Sequence, residues 1–185
     1  MSMIHRFATV GLVATFVGAA FAAEDKPKKI TSGALSFEVP PSWKTEKPSN
    51  SMRAAQLSID PVKGDEDPAA LVVNVFPGGA GSLDANIERW ERGFLDADKK
   101  TPKAKTEKKK GINVDVTRVE VSGHYVAAIS PGRPGNYDKE GYKLLGAIVQ
   151  TSGGSYFFKL TGPEKTISAA AKGFDEMIES IKVDK

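Results

Sequence analysis

From residue 33 onward, apolar and polar positions alternate in short runs broken by glycine and proline, and twice the spacing changes to that of a helix. Leu35, Phe37 and Val39 alternate with Ser36 and Glu38, the period of a half-buried strand. Pro40-Pro41 ends that run, because proline cannot continue a hydrogen-bonded ladder. Trp43 follows as an expected lid on the core. A second strand is predicted over residues 53–59, with Ala55, Leu57 and Ile59 on one face and turns at Asp60-Pro61 and Gly64-Asp65. In residues 70–76 both faces are rich in apolar groups, Leu71, Val73 and Val75 on one and Val72, Asn74 and Phe76 on the other. A strand of that kind is expected to be central and covered on both sides, by helices or by one helix and a crossing segment.

After Gly78-Gly79-Ala80-Gly81 the period lengthens. Leu83, Ile87, Trp90 and Phe94 recur at helical intervals behind Ser82 or Asp84 as N-cap, and this stripe is expected to face the sheet. Pro102 and the lysine-rich stretch 103–110 interrupt the pattern before Ile112, Val114 and Val116 restore alternation. Val119 and Val121 follow in the opposite phase, which predicts a bulge or tight turn at Thr117-Arg118. Residues 142–151 read as a long apolar strand, Ser152-Gly153-Gly154 as a hairpin turn, and Tyr156, Phe158 and Leu160 as the returning strand. Gly162-Pro163 then opens a final helix with Ile167, Ala171, Phe174, Ile178 and Ile181 on one stripe. The fold class is α+β, an antiparallel sheet of about six or seven strands sandwiched by helices.

This order of elements, with Phe37, Trp43, Trp90 and the stretch Tyr156-Phe157-Phe158-Lys159-Leu160-Thr161-Gly162-Pro163, resembles the PsbP-like fold and uncharacterised secreted bacterial proteins of that type. The resemblance spans most of the chain from Gly33 to Lys182. It implies an antiparallel sheet between helices and a scaffold used for protein docking, as in a photosystem II extrinsic subunit and in a nuclear import factor that shares the fold. The residues that carry it are packing residues, and no functional residue of either protein maps onto this chain, so function does not transfer with the fold.

Composition adds the compartment. Residues 1–6 carry one fixed charge, Arg6, residues 7–21 carry none, and small residues stand at Ala20 and Ala22. This is the pattern of a secretory signal peptide cut after Ala22, with an apolar run shorter than the roughly 20 residues that span a bilayer. The chain therefore divides into a signal peptide (1–22), a flexible N-terminal tail (23–32) and a single α+β domain (33–185). An exported protein, periplasmic or extracellular, with no membrane span after cleavage is expected, and the lack of cysteine excludes a lipoprotein anchor, disulfides and thiol chemistry. The balance of 26 Lys and Arg against 23 Asp and Glu, a net charge of +3, supports solubility and names no polyanionic partner.

Chemistry is sparse. His5 belongs to the signal, which leaves His124 for any triad or metal site, and no Gly-x-Ser-x-Gly elbow accompanies it. One histidine without cysteine makes a poor zinc set. Asp60, Asp65, Glu66 and Asp67 gather in one turn but lack the EF-hand pattern. The glycines at 78–81 lack the lysine and hydroxyl ending of a phosphate-binding loop. Lys103, Lys105, Lys108, Lys109 and Lys110 fit an edge strand guarded against pairing better than a nucleic-acid surface, since no aromatic residue is interleaved. No catalytic residue, metal or cofactor is assigned.

The expected function is an exported, non-enzymatic binding or accessory module with a protein or cell-envelope partner. The alternative is a hydrolase working through carboxylates such as Asp65, Glu66 or Asp138. The turn-rich stretch 130–142 is the expected recognition loop, joining strands that need no help from it. Arg133, Tyr137 and Tyr142 are its expected partner-binding residues, because arginine and tyrosine combine contact area with hydrogen bonding.

Overall fold

The computed structural model describes residues 26–129 and 134–184; the predicted signal segment and Arg133 lie outside the described residues. The first half of the chain supplies β1 (Lys28–Ser32), β2 (Leu35–Val39), β3 (Lys44–Glu46), β4 (Arg53–Ile59), β5 (Ala69–Pro77) and α1 (Leu83–Glu91). The second supplies β6 (Phe94–Leu95), β7 (Lys105–Lys110), β8 (Asp115–Tyr125), β9 (Lys139–Thr151), β10 (Gly154–Pro163), α2 (Glu164–Ser180) and β11 (Lys182–Val183). The main antiparallel sheet has eight strands, in the order β3-β4-β5-β10-β9-β8-β6 with β7 also beside β8. The count exceeds the expected six or seven because β3 and β6 are too short to show a period.

A smaller sheet, β1-β2-β11, lies apart from the main one. Its first strand corrects the sequence reading, in which residues 28–32 belong to a flexible tail. Ile30 is the only apolar residue of β1, so alternation cannot reveal it. The strand is held instead by backbone pairing with β2, from Lys28 opposite Val39 to Ser32 opposite Leu35. A two-residue turn at Gly33-Ala34 closes the hairpin, with Gly33 at φ 58°, a left-handed conformation that glycine adopts freely.

The two helices cover opposite faces of the main sheet. α2 buries Ile167, Phe174, Met177 and Ile178 against Leu71, Val73, Tyr156, Phe158 and Leu160, with Leu35, Phe37 and Val39 of the small sheet closing the same core. Trp43 is buried there as expected. On the other face Leu83, Ile87 and Trp90 of α1 pack on Val119, Ile148 and Phe157. With nine residues α1 is about 14 Å long. It leaves one face of β5 only partly covered: Val72 and Asn74 are half-buried and Ala70 is exposed, whereas Leu71 and Val73 are fully buried. The expectation of a strand covered on both sides is thus met on one side.

Three further details depart from the sequence pattern. Ser82 caps α1 by accepting a hydrogen bond from the Ala85 amide, but the helix ends at Glu91, and Phe94 reaches the core from β6 rather than from the helix. Trp90 is half-buried, its ring lying over Gly146, where a Cβ would meet it at 2.1 Å. β8 runs through Thr117-Arg118 without a bulge, its register with β9 unbroken from Val116 to Gly123. Val116 serves the α2 face while Val119 and Val121 serve the α1 face, so the change of phase reflects a strand apolar on both sides.

Candidate functional site

The irregularity in β8 lies farther along, between Gly123 and Tyr125. Gly123 has φ 147°, and a Cβ there would meet the Leu95 carbonyl oxygen at 2.3 Å, so glycine lets the paired strand β6 lie close. Just beyond it, Tyr125 is buried against Phe94, with ring centroids 5.0 Å apart. Two more tyrosines stack on it, Tyr137 at 5.1 Å and Tyr142 at 5.8 Å with nearly parallel rings. The Tyr142 hydroxyl donates to Asp67 Oδ2 at 2.7 Å, and Lys139 Nζ lies 2.6 Å from the same oxygen. Asp67 thereby ties the turn before β5 to the start of β9. The Lys139 hydrogen bond, then that of Tyr142, holds the Asp67 carboxyl below its usual range.

Lys159 completes the cluster. Its ammonium donates to the Tyr125 hydroxyl at 3.1 Å, and burial pushes its pKa down to about 8. Burial likewise pushes the Tyr125 phenol up to about 12, and raises Tyr142 well above its ordinary value with the help of the Asp67 hydrogen bond. The largest cause of all three shifts is the same: a charge is disfavoured where water is excluded.

Of the expected partner-binding residues, Tyr137 is 38% exposed and forms the outer ring of the stack. It is also held by the backbone, its amide donating to the Ala127 carbonyl at 2.9 Å beside a bridge between Ala128 and Asn136. Tyr142 is half-buried in β9, not in a loop, because β9 already pairs with β8 at Lys139 opposite Tyr125. The end of the stretch expected for recognition, from Lys139 onward, is thus strand rather than loop. Sequence reading missed Tyr125, Lys159 and Asp67. Lys159 carried a signal, a charge inside the apolar run of β10; Asp67 carried none, since it meets Tyr142 from 75 positions away.

The other motifs find ordinary partners. His124 Nε2 lies 2.5 Å from Asp138 and Nδ1 3.3 Å from Glu140, at an open pocket of about 300 Å³ whose lining, among the described residues, includes no serine, threonine or tyrosine. Asp65 accepts hydrogen bonds from the amide and hydroxyl of Thr166 and so caps the start of α2, while Glu66 is exposed. Asp65 and Asp138 are thus engaged separately. Asp60 pairs with Lys44. Among the described residues no group of three or more His, Asp or Glu is arranged to hold a metal ion. The glycine turn is closed internally, since buried Asn86 donates to the carbonyls of Ala80 and Ser82. Most of the basic cluster lies on the exposed strand β7 as anticipated, with Lys109 paired to Glu107 and Lys110 to Asp115.

No family model matches the sequence, and no curated protein is found similar to it. Solved structures match the fold. The solution structure of cyanobacterial PsbP (CyanoP) from Synechocystis sp. PCC 6803 superposes with a TM-score of 0.52 at 14% identity, over 92% of this chain and 98% of that one. A crystal structure from Bacteroides thetaiotaomicron VPI-5482 gives 0.50 at 16% identity, over 85% of this chain and 48% of that one, so the chain spans about half its length. The chain has a PsbP-like α+β fold, as its residues led us to expect. Among the described residues no helix is long and apolar enough to cross a membrane.

Proposed function

Starting from the PsbP-like fold, we propose that this chain is an exported accessory module that docks a protein partner of the cell envelope through its tyrosine face. The observation that carries the reading is the Tyr137-Tyr125-Tyr142 stack, in which an exposed ring rests on a buried one. A side chain already fixed by stacking loses little rotational freedom when a partner covers it, and large rigid aromatics are the usual anchors of interfaces. Lys139 and the Tyr142 hydroxyl, both bound to Asp67, provide a polar rim. Export rests on Arg6, the uncharged run 7–21 and the small residues Ala20 and Ala22. Placing a photo-crosslinking benzophenone side chain at position 137, and at exposed Ile112 as control, tests the docking face in the native envelope. One discrete adduct at 137, absent at 112 and competed by unlabelled protein, is expected. No adduct, or the same products from both positions, refutes the reading.

A further inference from the structure

The less exposed cations of β8 and β9 each meet a carboxylate, whereas, among the described residues, that of β10 does not. Arg118 meets Asp175 and Glu120, Lys143 meets Glu120 and Glu164, and Lys139 meets Asp67. Lys159, more deeply placed than Lys139, has the Tyr125 hydroxyl as its hydrogen-bond partner and faces no carboxylate among the described residues. An ammonium removed from water without a counter-charge is costly, and a hydrophobic residue would suit the same strand position better on packing grounds. Two residues along β10, on the same side of the strand, the Thr161 hydroxyl is buried with no hydrogen-bond partner among the described residues. Two groups on one side of the strand therefore have unmet capacity, and Lys159 meets the tyrosine stack at the Tyr125 hydroxyl.

We infer that Lys159 and Thr161 form the receptor for a carboxylate presented by the docking partner, an Asp or Glu side chain inserted beside Tyr125 and Tyr137. This rests on the tyrosine face being the docking surface. A carboxylate suits the chemistry in number and charge. Its two oxygens accept one hydrogen bond from the ammonium, which has donors to spare after Tyr125, and one from the threonine hydroxyl. Its single negative charge matches the single ammonium of Lys159, whereas a phosphate dianion would bring an excess that Lys139 and Lys143, already paired, are not free to neutralise. The tyrosine rings supply contact area, and the buried pair supplies the selection for an acidic residue.

Acetate serves as the probe for the carboxylate alone. Backbone amide signals of Tyr125, Leu160 and Thr161 in the isotope-labelled chain are followed by NMR during titration with sodium acetate, with sodium chloride at equal ionic strength as control. Saturable shifts with acetate only are expected. They should vanish in Lys159→Met, weaken roughly tenfold in the near-isosteric Thr161→Val, as for loss of a hydrogen bond to a charged group, and persist in Tyr137→Ala. Identical responses to acetate and chloride, or an acetate response undiminished in Lys159→Met, overturn the inference. The docking reading is judged separately by the adduct at position 137. If that adduct forms equally well in the Lys159→Met background, docking stands and the carboxylate receptor falls. If acetate binds but no adduct forms, Lys159 and Thr161 hold a carboxylate that no partner presents at this face, and the inference falls with the docking reading.

Discussion

Replacing Lys159 by methionine should change how stability depends on pH in a direction fixed by burial. The lysine has its pKa lowered from 10.5 to about 8 in the folded chain. Below pH 8 both folded and unfolded chains hold the proton, and the folded chain carries the full cost of a buried charge. Between pH 8 and about 10.4 the unfolded chain keeps the proton while the folded chain releases it, so wild-type stability rises with pH through that window. The span of roughly 2.5 units corresponds to about 3 kcal/mol, an upper figure because the side chain is not fully removed from water. The methionine variant has no such term, but it leaves the Tyr125 hydroxyl without its donor, at about 1 kcal/mol. At pH 7 the variant should therefore be more stable by about 2 kcal/mol, and the advantage should shrink and vanish toward pH 10. The raised phenols of Tyr125 and Tyr142 act oppositely above pH 10, where unfolded tyrosines ionise first, but they do so in both proteins and cancel in the comparison. Urea unfolding followed by tryptophan fluorescence at a series of pH values measures the difference. Parallel stability curves for the two proteins from pH 7 to 10 would refute the argument.

Other expectations follow from the packing. Phe174→Ala should cost about 3 to 5 kcal/mol in denaturant melts, as a fully buried ring under the small sheet, whereas half-buried Trp90→Ala should cost about half as much. Gly123→Ala should lose at least about 2 kcal/mol, because its Cβ would strike the Leu95 carbonyl at 2.3 Å and its φ of 147° is strained for alanine; stability equal to wild type would mean that β6 does not lie so close. N-terminal sequencing of the exported chain should begin at Ala23, and a retained Met1 on membrane-bound protein would replace the cleaved signal with an anchor.

The elements legible in the sequence are those whose own residues carry the period. The β9-β10 hairpin shows it in Tyr156, Phe158 and Leu160 and in the Ser152-Gly153 turn, and α2 shows it in Ile167, Phe174 and Ile178. β1, β3 and β6 are short and polar or isolated, and are fixed by the strands they join rather than by any pattern of their own. Phe94 misled because the spacing from Trp90 to Phe94 suits a helix, although the chain turns at Gly93, whose amide donates to the Trp90 carbonyl. The same distinction governs the site. Tyr137 and Tyr142 lie close in sequence and are read together, whereas Tyr125 meets Tyr142 through pairing of β8 with β9, Lys159 meets Tyr125 from 34 positions away, and Asp67 meets Tyr142 from 75 positions away through the turn before β5. Periodicity reports which face a residue occupies, but not which neighbours long-range pairing brings to it.

The central claim, docking through the tyrosine face, is tested most directly by the affinity of the cross-linked partner for wild-type and Tyr137→Ala proteins of equal melting midpoint. Loss of the exposed ring should weaken binding at least tenfold, about 1.4 kcal/mol, with Ile112→Ala unchanged. Equal affinities for wild type and Tyr137→Ala would contradict it.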